Sequence, residues 1–566
     1  MTTLTGLDAT FLYLETPEMP MHVGSLNLCE LPPGFRGSFH KAVKNHIGKR
    51  MHLAPVFSRK LVFMPLDLGH PLWVEADAVD LGFHIRRADP AGKGAAPMTL
   101  AAVHKLCAQL HGKPIDRRFP LWEFYIFDRI QLPDGRRVAG FFSKIHHAAL
   151  DGKGGVMLAN AMLDVGPEPR DVAPPDPARR RKLESDLKLG KMIGSVFSSS
   201  LGQLAKLART LPSAASTLGS TLARHTVASS ASGARPRMPV KLAPPTPFNT
   251  GITADRVFVT ATLPLAECRA MGKAAGGSLN DMLLWICSTA LRDYLTQHHS
   301  LPKKSLVAAM PVSLREAGAS DTSKLGNQVS MSLVELGTHV AHPLRRMNAI
   351  MASTGKVKTS LQSLKGLLPT DYPSLLAPWL VGGAARLALN AYGKSGMATR
   401  LPMVANLAIS NVPGPPEPLY LAGAKFLTFH PLSIVMHGLA LNITIQTYAG
   451  HVDFGIVAGK KALPHAQDLA RAIEDAFRQA RQWLAPAAPP RDAPVKSSAS
   501  RAPVAQETTL GKSPSVKQPR RPNTGAIRNN NAKTNAQPHG TLPTPVSSAK
   551  KPSRKSAAKP ARRTGT

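Results

Sequence analysis

One short stretch of the sequence combines proton-transfer chemistry with a sharp change of backbone direction: it reads HHAALDG at residues 146–152. A histidine side chain has a pKa of about 6.5, so it can take up a proton at neutral pH and return it, as a general base must. Gly152 permits a tight turn, and Asp151 can orient an imidazole ring or close the turn through an ion pair. From residue chemistry alone, His146 and His147 are candidates for catalysis, for a structural role or for metal binding.

The flanking residues place this stretch between a strand and a helix. Residues 138–145 form an apolar run that follows a Pro-Asp-Gly turn at residues 133–135, which is typical of a buried strand. Residues 154–163 have the composition of a helix. We therefore predict the order strand, paired histidines, tight turn and helix.

A metal site is the weaker alternative. No third ligand accompanies the two histidines at a spacing typical of zinc sites. The cysteines lie far apart and form neither a CxxC nor a CxC pair: Cys29, Cys107, Cys268 and Cys287. The sequence predicts no metal centre and no disulfide framework.

Strand and helix signals alternate along most of the chain, which predicts a protein of the α/β (α+β) class. Helical periodicity marks residues 99–110, 280–295 and 469–484. Strand-like runs mark residues 121–129, 257–265, 305–314, 329–336, 405–411 and 439–448. We predict an N-terminal unit at residues 1–170, a basic linker at 171–245, a C-terminal unit at 246–485 and a disordered tail at 486–566.

Charge is distributed unevenly over the 566 residues, whose formal net charge is +35. Residues 486–566 contain 16 Lys and Arg, 2 Asp and Glu, 13 Pro and no aromatic residue, a composition typical of disorder. Residues 176–245 contain 12 basic and 3 acidic residues. Between positions 183 and 211, apolar residues recur every three or four residues. This pattern predicts an amphipathic helix that either lies on a membrane or packs between the two units.

A strongly positive charge indicates anionic partners, namely nucleic acid, an acidic membrane or a phosphorylated substrate. The tail contains KKPSRK (550–555) and KPARR (559–563), which resemble the arms of histone-like proteins and could bind nucleic acid or anionic lipid headgroups. Acidic residues precede the first basic residue, Arg36, so we expect no signal peptide. The most apolar stretch, residues 374–390, contains Pro378 and Arg386, so we expect no membrane-spanning helix and a cytoplasmic location.

HHxxxDG is the active-site motif of the CoA-dependent acyltransferase superfamily. Seven further stretches resemble one branch of it, the bacterial wax ester synthase/diacylglycerol acyltransferase family. They occur in the family's order between residues 4 and 484: LDATF (7–11), PMHVG (20–24), PLWE (120–123), TPFN (246–249), ND (280–281), SNVPGP (410–415) and NIT (442–444). Each stretch is unspecific alone, but seven in order make the resemblance highly specific.

The resemblance implies two chloramphenicol-acetyltransferase-like subdomains with mixed sheets. It also implies transfer of a long-chain acyl group from acyl-CoA to the hydroxyl of a diacylglycerol or a fatty alcohol, which gives triacylglycerol or wax ester. His147 would be the general base, His146 would support its geometry, and Asp151 and Gly152 would shape the loop. No acyl-enzyme is expected, and no cofactor either, because acyl-CoA is a substrate.

The resemblance further implies residues that contact substrate: Pro120, Leu121, Trp122, Asn280, Asp281, Ser410 and Asn411. Asn280 is the candidate donor to the tetrahedral oxyanion. Each group also has a structural interpretation. Residues 120–122 could be a packed turn, residues 280–281 a helix N-cap, and residues 410–411 the start of a rigid loop. The PMHVG stretch is predicted to be structural.

Two other functions stay open. An enzyme of the same superfamily could acylate a different hydroxyl or an amine. A scaffold that binds nucleic acid or a surface through its basic tail is an alternative of another class. For the enzyme, the basic linker and tail predict association with an anionic surface, either the inner face of the membrane or a lipid droplet.

Overall fold

The computed structural model describes residues 2–63, 70–90, 96–150, 152–174, 242–313, 329–364 and 403–484. The predicted amphipathic helix, Asp151 of the histidine motif and the predicted tail lie outside the described residues. The described ranges contain two large sheets and the helices that cover them.

The described helices are α1 (Gly6–Leu14), α2 (Phe39–Arg50), α3 (Leu81–His84), α4 (Leu100–His111), α5 (Gly152–Met162), α6 (Leu265–Ala274), α7 (Leu279–Gln297), α8 (Pro343–Leu364) and α9 (Ala466–Leu484). The described strands of the N-terminal half are β1 (Thr2–Thr3), β2 (His22–Glu30), β3 (Arg59–Val62), β4 (Leu72–Glu75), β5 (Ile85–Arg87), β6 (Met98–Thr99), β7 (Trp122–Gln131) and β8 (Arg137–His146). Those of the C-terminal half are β9 (Arg256–Pro264), β10 (Val307–Ser313), β11 (Val329–Glu335), β12 (Leu407–Val412), β13 (Tyr420–Leu421), β14 (Ala424–Phe426), β15 (His430–Leu432), β16 (Leu441–Tyr448) and β17 (His451–Gly459).

The first sheet has eight strands, in the order β13-β14-β2-β8-β7-β5, with β15 also paired to β2 and β6 to β7. Strands β2, β8 and β7 are antiparallel, whereas β5 and β6 run parallel to β7, so the sheet is mixed. The pairing of β2 with β8 places His22 opposite His146. This close pairing requires Gly24, because a Cβ atom there would lie 1.9 Å from the carbonyl oxygen of Ser143.

The central strands of this sheet are apolar on both faces because a core lies on each side. Phe124 and Phe141 belong to one core, and Phe127 and Phe142 belong to the other. Successive side chains of a strand point to opposite faces, so burial of both faces gives a nearly continuous apolar run. That is the run from which strand β8 was predicted.

The second sheet has six strands, in the order β11-β10-β12-β16-β17-β9. The two pairings of β12, with β10 and with β16, are parallel and the others are antiparallel, so this sheet is mixed as well. Helix α9 packs on it through a stripe of Leu469, Ile473, Phe477 and Ala480, all buried at helical spacing. The predicted closing helix and the predicted α/β class with mixed sheets are confirmed.

Short strands from the C-terminal half cross into the first sheet. Strands β13, β14 and β15 lie within residues 420–432, and β14 and β15 pair with β2. The sheets also approach closely there, because a Cβ atom on Gly455 would lie 1.6 Å from the carbonyl oxygen of Pro431. The two sheets therefore do not divide at one point of the chain, and the domain boundaries drawn from composition stay predictions.

Among the helices of the described residues, none is long and apolar enough to cross a membrane.

Candidate active site

The histidine pair lies where a central strand ends. Strand β8 ends at His146, a single 3-10 turn covers His147–Ala149, and α5 begins at Gly152. The N–H of Leu150 donates to the carbonyl oxygen of His147 at 3.2 Å, which closes the turn. The predicted order of strand, histidines, turn and helix is confirmed.

His147 is held by two segments from the start of the chain. Its backbone N–H donates to the carbonyl oxygen of Met21 at 2.8 Å. Its ring stacks on Phe11, with ring centroids 3.8 Å apart and planes inclined by 16°. The residue is half-buried, and no described residue forms a hydrogen bond with its buried Nδ1 atom. The LDATF and PMHVG stretches thus both contact this residue.

The protonation state of His147 follows from its surroundings. Burial lowers the pKa of His147 from 6.5 to about 4, with a hydrogen bond to the residue's own backbone opposing this shift and the proximity of His146 adding to it. The ring is therefore neutral at pH 7 and carries a free lone pair. A neutral imidazole can accept the proton of an attacking hydroxyl group.

His146 is completely buried and supports the turn. Its backbone N–H donates to the carbonyl oxygen of Leu121 at 2.9 Å. Its ring atom Nδ1 accepts the backbone N–H of Ala148 at 3.1 Å. Its Nε2 lies 3.4 Å from Oε1 of Glu15. Because Nδ1 acts as an acceptor, the ring proton resides on Nε2 and faces the carboxylate.

A buried carboxylate, Glu15, joins the histidines to the N-terminal segment. Its Oε1 accepts the N–H of Met21 at 2.9 Å, and its Oε2 accepts Nε of Arg117 at 3.0 Å and Nη2 at 2.6 Å. Burial alone would raise the pKa of Glu15, but His146, Arg117 and the Met21 N–H together lower it from 4.5 to about 2. Glu15 is therefore ionised at any working pH.

Sequence reasoning missed both Glu15 and Arg117 as site residues. Neither residue lies in a stretch that carries the family resemblance. A single charged residue also forms no repeating pattern from which its position in the fold could be predicted. The position of Glu15 between the LDATF and PMHVG stretches is the one feature that could have drawn attention to it.

The predicted residues 120–122 meet the histidine pair through their backbone. The carbonyl of Leu121 accepts the N–H of His146. The side chains of Pro120, Leu121 and Trp122 are buried, and Nε1 of Trp122 donates to the carbonyl oxygen of Phe57 at 3.1 Å. These contacts agree with a packed turn, and a direct contact with substrate stays a prediction.

Two predicted substrate residues from distant parts of the chain meet each other. Nδ2 of Asn411, in β12, donates to Oδ1 of Asn280, in α7, at 3.3 Å. Both residues are half-buried. The bond orients the amide of Asn280 through its oxygen, and no described residue accepts a hydrogen bond from its NH2 group. This NH2 group is the part of Asn280 that can donate to a ligand.

Asp281, by contrast, is engaged within the protein. Its Oδ2 accepts the N–H and the hydroxyl of Ser278 at 2.8 Å and 2.6 Å, and its Oδ1 accepts the hydroxyl of Thr354 at 2.7 Å. Ser278 is the N-cap of α7, and Asp281 completes a capping box with it. Helix capping therefore accounts for Asp281 but not for Asn280, whose side chain bonds Asn411 instead.

The structure does not join all the predicted residues into one contact network. No hydrogen bond, ion pair or ring contact among the described residues links the Asn280–Asn411 pair to His147. Ser410 is half-buried and lies opposite Thr444 in the pairing of β12 with β16. Asp151 lies outside the described residues, so its predicted role in the loop stays a prediction.

The TPFN stretch (residues 246–249) connects distant segments of the chain through the side chain of Asn249. Nδ2 of Asn249 donates to the carbonyl oxygens of Ala405 at 3.0 Å and Gly438 at 2.9 Å. Its Oδ1 accepts Nδ2 of Asn406 at 2.8 Å. These bonds tie the segment before β9 to the second sheet.

The site offers little to a metal ion. In the described ranges, no three or more His, Cys, Asp or Glu side chains lie together in an arrangement that could hold a metal ion. His146 uses Nδ1 as an acceptor and directs Nε2 at Glu15, so the two histidines are not arranged as a pair of ligands.

Comparison with known families agrees with this site. A family model described as the wax ester synthase/diacylglycerol acyltransferase catalytic domain matches residues 4–283, and one described as the WS/DGAT C-terminal domain matches residues 325–481. With its mixed sheets and its histidine motif, the chain is thus an acyltransferase. It belongs to the wax ester synthase/diacylglycerol acyltransferase family, as its sequence motifs predict.

Individual relatives support the same assignment. The O-acyltransferase WSD of Acinetobacter baylyi is 32% identical over 478 residues, which cover 84% of this chain and 96% of the relative. A protein of Mycobacterium tuberculosis H37Rv named as a diacylglycerol O-acyltransferase is 32% identical over 492 residues, with 84% and 98% covered. The solved wax ester synthase/diacylglycerol acyltransferase from Marinobacter aquaeolei VT8 has a TM-score of 0.59 and 27% identity, covering 86% of this chain and 100% of that chain.

Proposed function

We propose that the protein transfers a long-chain acyl group from acyl-CoA to the hydroxyl of a diacylglycerol or a fatty alcohol. The products are triacylglycerol or wax ester and free CoA. The observation that carries this proposal is His147, a neutral, half-buried imidazole held by Met21 and Phe11 at the end of β8. The names of the relatives, a diacylglycerol O-acyltransferase and an O-acyltransferase, support the acceptor class.

The reaction needs one base and one oxyanion donor. The ring of His147 accepts the proton of the acceptor hydroxyl while the oxygen attacks the thioester carbonyl carbon. The tetrahedral intermediate then breaks its C–S bond, and the imidazolium returns the proton to the leaving thiolate. The acyl group passes directly from CoA to the acceptor, so the reaction needs no acyl-enzyme and no cofactor.

Two residues have proposed roles in stabilising this transition state. A positioned base contributes about 10²–10⁴-fold to the rate, and this contribution is assigned to His147. An oxyanion donor contributes about 10²–10³-fold, and the NH2 group of Asn280 is the candidate. Asn411 would hold that amide in place through the bond to its oxygen. Ser410 and residues 120–122 are proposed to line the substrate path.

The low pKa of His147 has opposite consequences for its two proposed roles, because it weakens the neutral ring as a base and strengthens the imidazolium as an acid. An imidazolium with a pKa of about 4 is a strong acid for a side chain. It therefore gives its proton readily to the CoA thiolate, because proton transfer from a stronger acid is more favourable. The same low pKa keeps the ring unprotonated and ready at neutral pH.

The assay that tests this function measures free CoA and separates the lipid products. Purified protein receives a long-chain acyl-CoA and either a diacylglycerol or a fatty alcohol. We expect product with both or one of these acceptors, and a loss of about 10²–10⁴-fold in His147→Ala. His339→Ala, at an exposed histidine, is the matched control and should keep full activity. Full turnover by His147→Ala would reject the base, and acylation of amines alone would favour the alternative acceptor.

We also propose that the basic linker and tail bring the enzyme to an anionic lipid surface. Support comes from the 16 basic against 2 acidic residues of the tail and the 12 against 3 of residues 176–245. Each basic residue near such a surface contributes about 1 kcal/mol. The apolar substrates proposed above are concentrated in lipid phases, which favours a lipid surface over nucleic acid.

A truncation after residue 485 tests this location. The shortened protein should retain its turnover with dispersed substrates and lose affinity for vesicles that contain anionic lipid, with neutral vesicles as the control. Unchanged binding to anionic vesicles would reject a role of the tail. Loss of binding to duplex DNA alone would instead identify nucleic acid as its partner.

A further inference from the structure

We propose that the ion pair between the buried Glu15 and the half-buried Arg117 is the positioning element of His147. This inference rests on the proposed role of His147 as the base. Three routes connect this ion pair to the histidines. The first runs through the backbone of Met21, the second through the end of α1 next to Phe11, and the third through His146.

The first contact runs through the backbone of one residue. The N–H of Met21 donates to Oε1 of Glu15 at 2.9 Å, and the carbonyl oxygen of Met21 accepts the N–H of His147 at 2.8 Å. Met21 thus bridges the carboxylate and the base with its two backbone groups. A movement of the carboxylate moves Met21, and with it the backbone that carries the imidazole.

The second contact runs through the end of α1. Nη2 of Arg117 donates to the carbonyl oxygen of Leu12 at 2.9 Å, in addition to its bond with Glu15. The last carbonyls of a helix lack partners within the helix, so such a donor fixes the helix end. Leu12 follows Phe11, whose ring stacks on His147. The guanidinium that holds Glu15 therefore also holds the helix turn from which Phe11 covers the base.

The third contact is with the other histidine. Oε1 of Glu15 lies 3.4 Å from Nε2 of His146, and the side chains of both residues are almost fully buried. His146 in turn accepts the N–H of Ala148 through Nδ1, within the same 3-10 turn that contains His147. The carboxylate thus faces the ring that supports this turn, at an ion-pair distance and without a hydrogen bond to Nε2.

Stability alone is a weak explanation for this arrangement. Withdrawing two charges from water costs free energy, and a buried ion pair is often no more stabilising than apolar residues of similar volume. The side chain of Glu15 is only 6% exposed and that of Arg117 is 25% exposed. The fixed geometry that the pair imposes on Met21, Phe11 and His146 is a function that apolar side chains could not supply.

The experiment compares Glu15→Gln with and without the base. The amide of the variant keeps an oxygen for the Met21 N–H but removes the charge that binds Arg117 and His146. We expect kcat to fall about 10²-fold, the effect of a misplacement of about 1 Å, with KM for acyl-CoA and acceptor changed less than about threefold. In a His147→Ala background the same substitution should change the residual rate less than about twofold, because groups that act as a unit are not additive.

Two further variants separate positioning from folding. Asp453→Asn is the matched control, since Asp453 is a buried carboxylate of the second sheet that accepts the N–H of Phe429 and the hydroxyl of Thr262, each at 2.7 Å. It should lower the melting temperature while kcat stays within about twofold. Arg117→Lys retains the charge and should lose less activity than Arg117→Met.

Each contrary result has a distinct meaning. Glu15→Gln with normal kcat beside an inactive His147→Ala would overturn this inference and leave the proposed function standing. An equal loss from Glu15→Gln with and without His147 would also overturn it, because the carboxylate would then act independently of the base. Full turnover by His147→Ala would overturn both proposals.

Discussion

The ring of Phe11 lies nearly parallel to the imidazole of His147, with centroids 3.8 Å apart and planes inclined by 16°. Phe11 belongs to α1 and His147 to the turn after β8. The stack covers one face of the imidazole, and burial is the main cause that lowers the pKa of His147 to about 4. The contact between these two residues therefore contributes to the burial that lowers the pKa of His147.

Replacing Phe11 by alanine should raise the pKa of His147. Water would then reach the ring and stabilise the imidazolium, so the pKa moves from about 4 back toward 6.5. The base acts only when it is neutral, so activity falls as pH drops through this pKa. We expect the acid limb of the profile of kcat/KM against pH to move up by about one unit.

Phe429→Leu provides the control, because Phe429 is a half-buried aromatic residue that contacts Tyr448 and not the histidines. Its acid limb should coincide with that of the unmodified protein. If Phe11→Ala left the acid limb in place, the stacked ring would not be the source of the low pKa.

Gly24→Ala should separate β2 from β8. The added Cβ atom would lie 1.9 Å from the carbonyl oxygen of Ser143, and backbone cannot move aside at low cost. We expect the free energy of unfolding to fall by about 3 kcal/mol, measured by urea titration, together with a loss of turnover because His22 and His146 pair in these strands.

Gly355→Ala is the matched substitution for this test. No atom lies within 4 Å of the position of its added Cβ, and Gly355 is in the interior of α8. Alanine is the better helix former, so this variant should gain up to about 1 kcal/mol. Equal stability of the two variants would contradict the steric argument at Gly24.

Asn280→Ala should lower kcat and leave KM nearly unchanged. An oxyanion donor interacts with charge that develops only in the transition state, so its loss reduces kcat by about 10²-fold. Asn411→Ala should cost less, because it removes only the group that orients the amide of Asn280. Steady-state kinetics at saturating acyl-CoA distinguish these effects. A raised KM with constant kcat would assign Asn280 to ground-state substrate binding instead.

Acid should destabilise the fold through its buried histidines. Burial lowers the pKa of His104 and of His111 from 6.5 to about 3. Between about pH 3 and 6.5 the unfolded chain therefore binds more protons than the folded one, so the free energy of unfolding falls as pH drops below 6.5. Each of the two residues should account for a loss of roughly 2 kcal/mol at pH 5.

Urea titrations at pH 7.5 and pH 5 measure this loss. His104→Gln should make it smaller, because glutamine does not titrate and can still bind the hydroxyl of Thr260, which His104 contacts at 3.2 Å. His339→Gln, at an exposed position, should leave it unchanged. The same stability at both pH values would contradict the buried, neutral state of these histidines.

Local patterns predicted the regular elements well. Apolar residues at helical spacing between 469 and 484 correspond to α9 (Ala466–Leu484), and the strand-like run 257–265 corresponds to β9 (Arg256–Pro264). These elements bury one side or both, and burial requires apolar residues at a regular spacing that can be recognised in the sequence. Strands β13, β14 and β15 have two or three residues each and display no such period. The pairing of β14 and β15 with β2 joins residues some four hundred positions apart in the chain, so composition could not reveal it.

The sequence alone determined the α/β class and the family, and it singled out His147 as the proposed base, because these depend on residue type and order. Only the tertiary structure decided the state of that residue. The pKa of His147 depends on burial beneath Phe11, and its orientation depends on Met21, Glu15 and Arg117. These contacts come from segments that are distant in the chain, and a pKa responds to the distance between groups in space. The histidine motif therefore indicates the proposed base, and the fold determines its protonation state and its position.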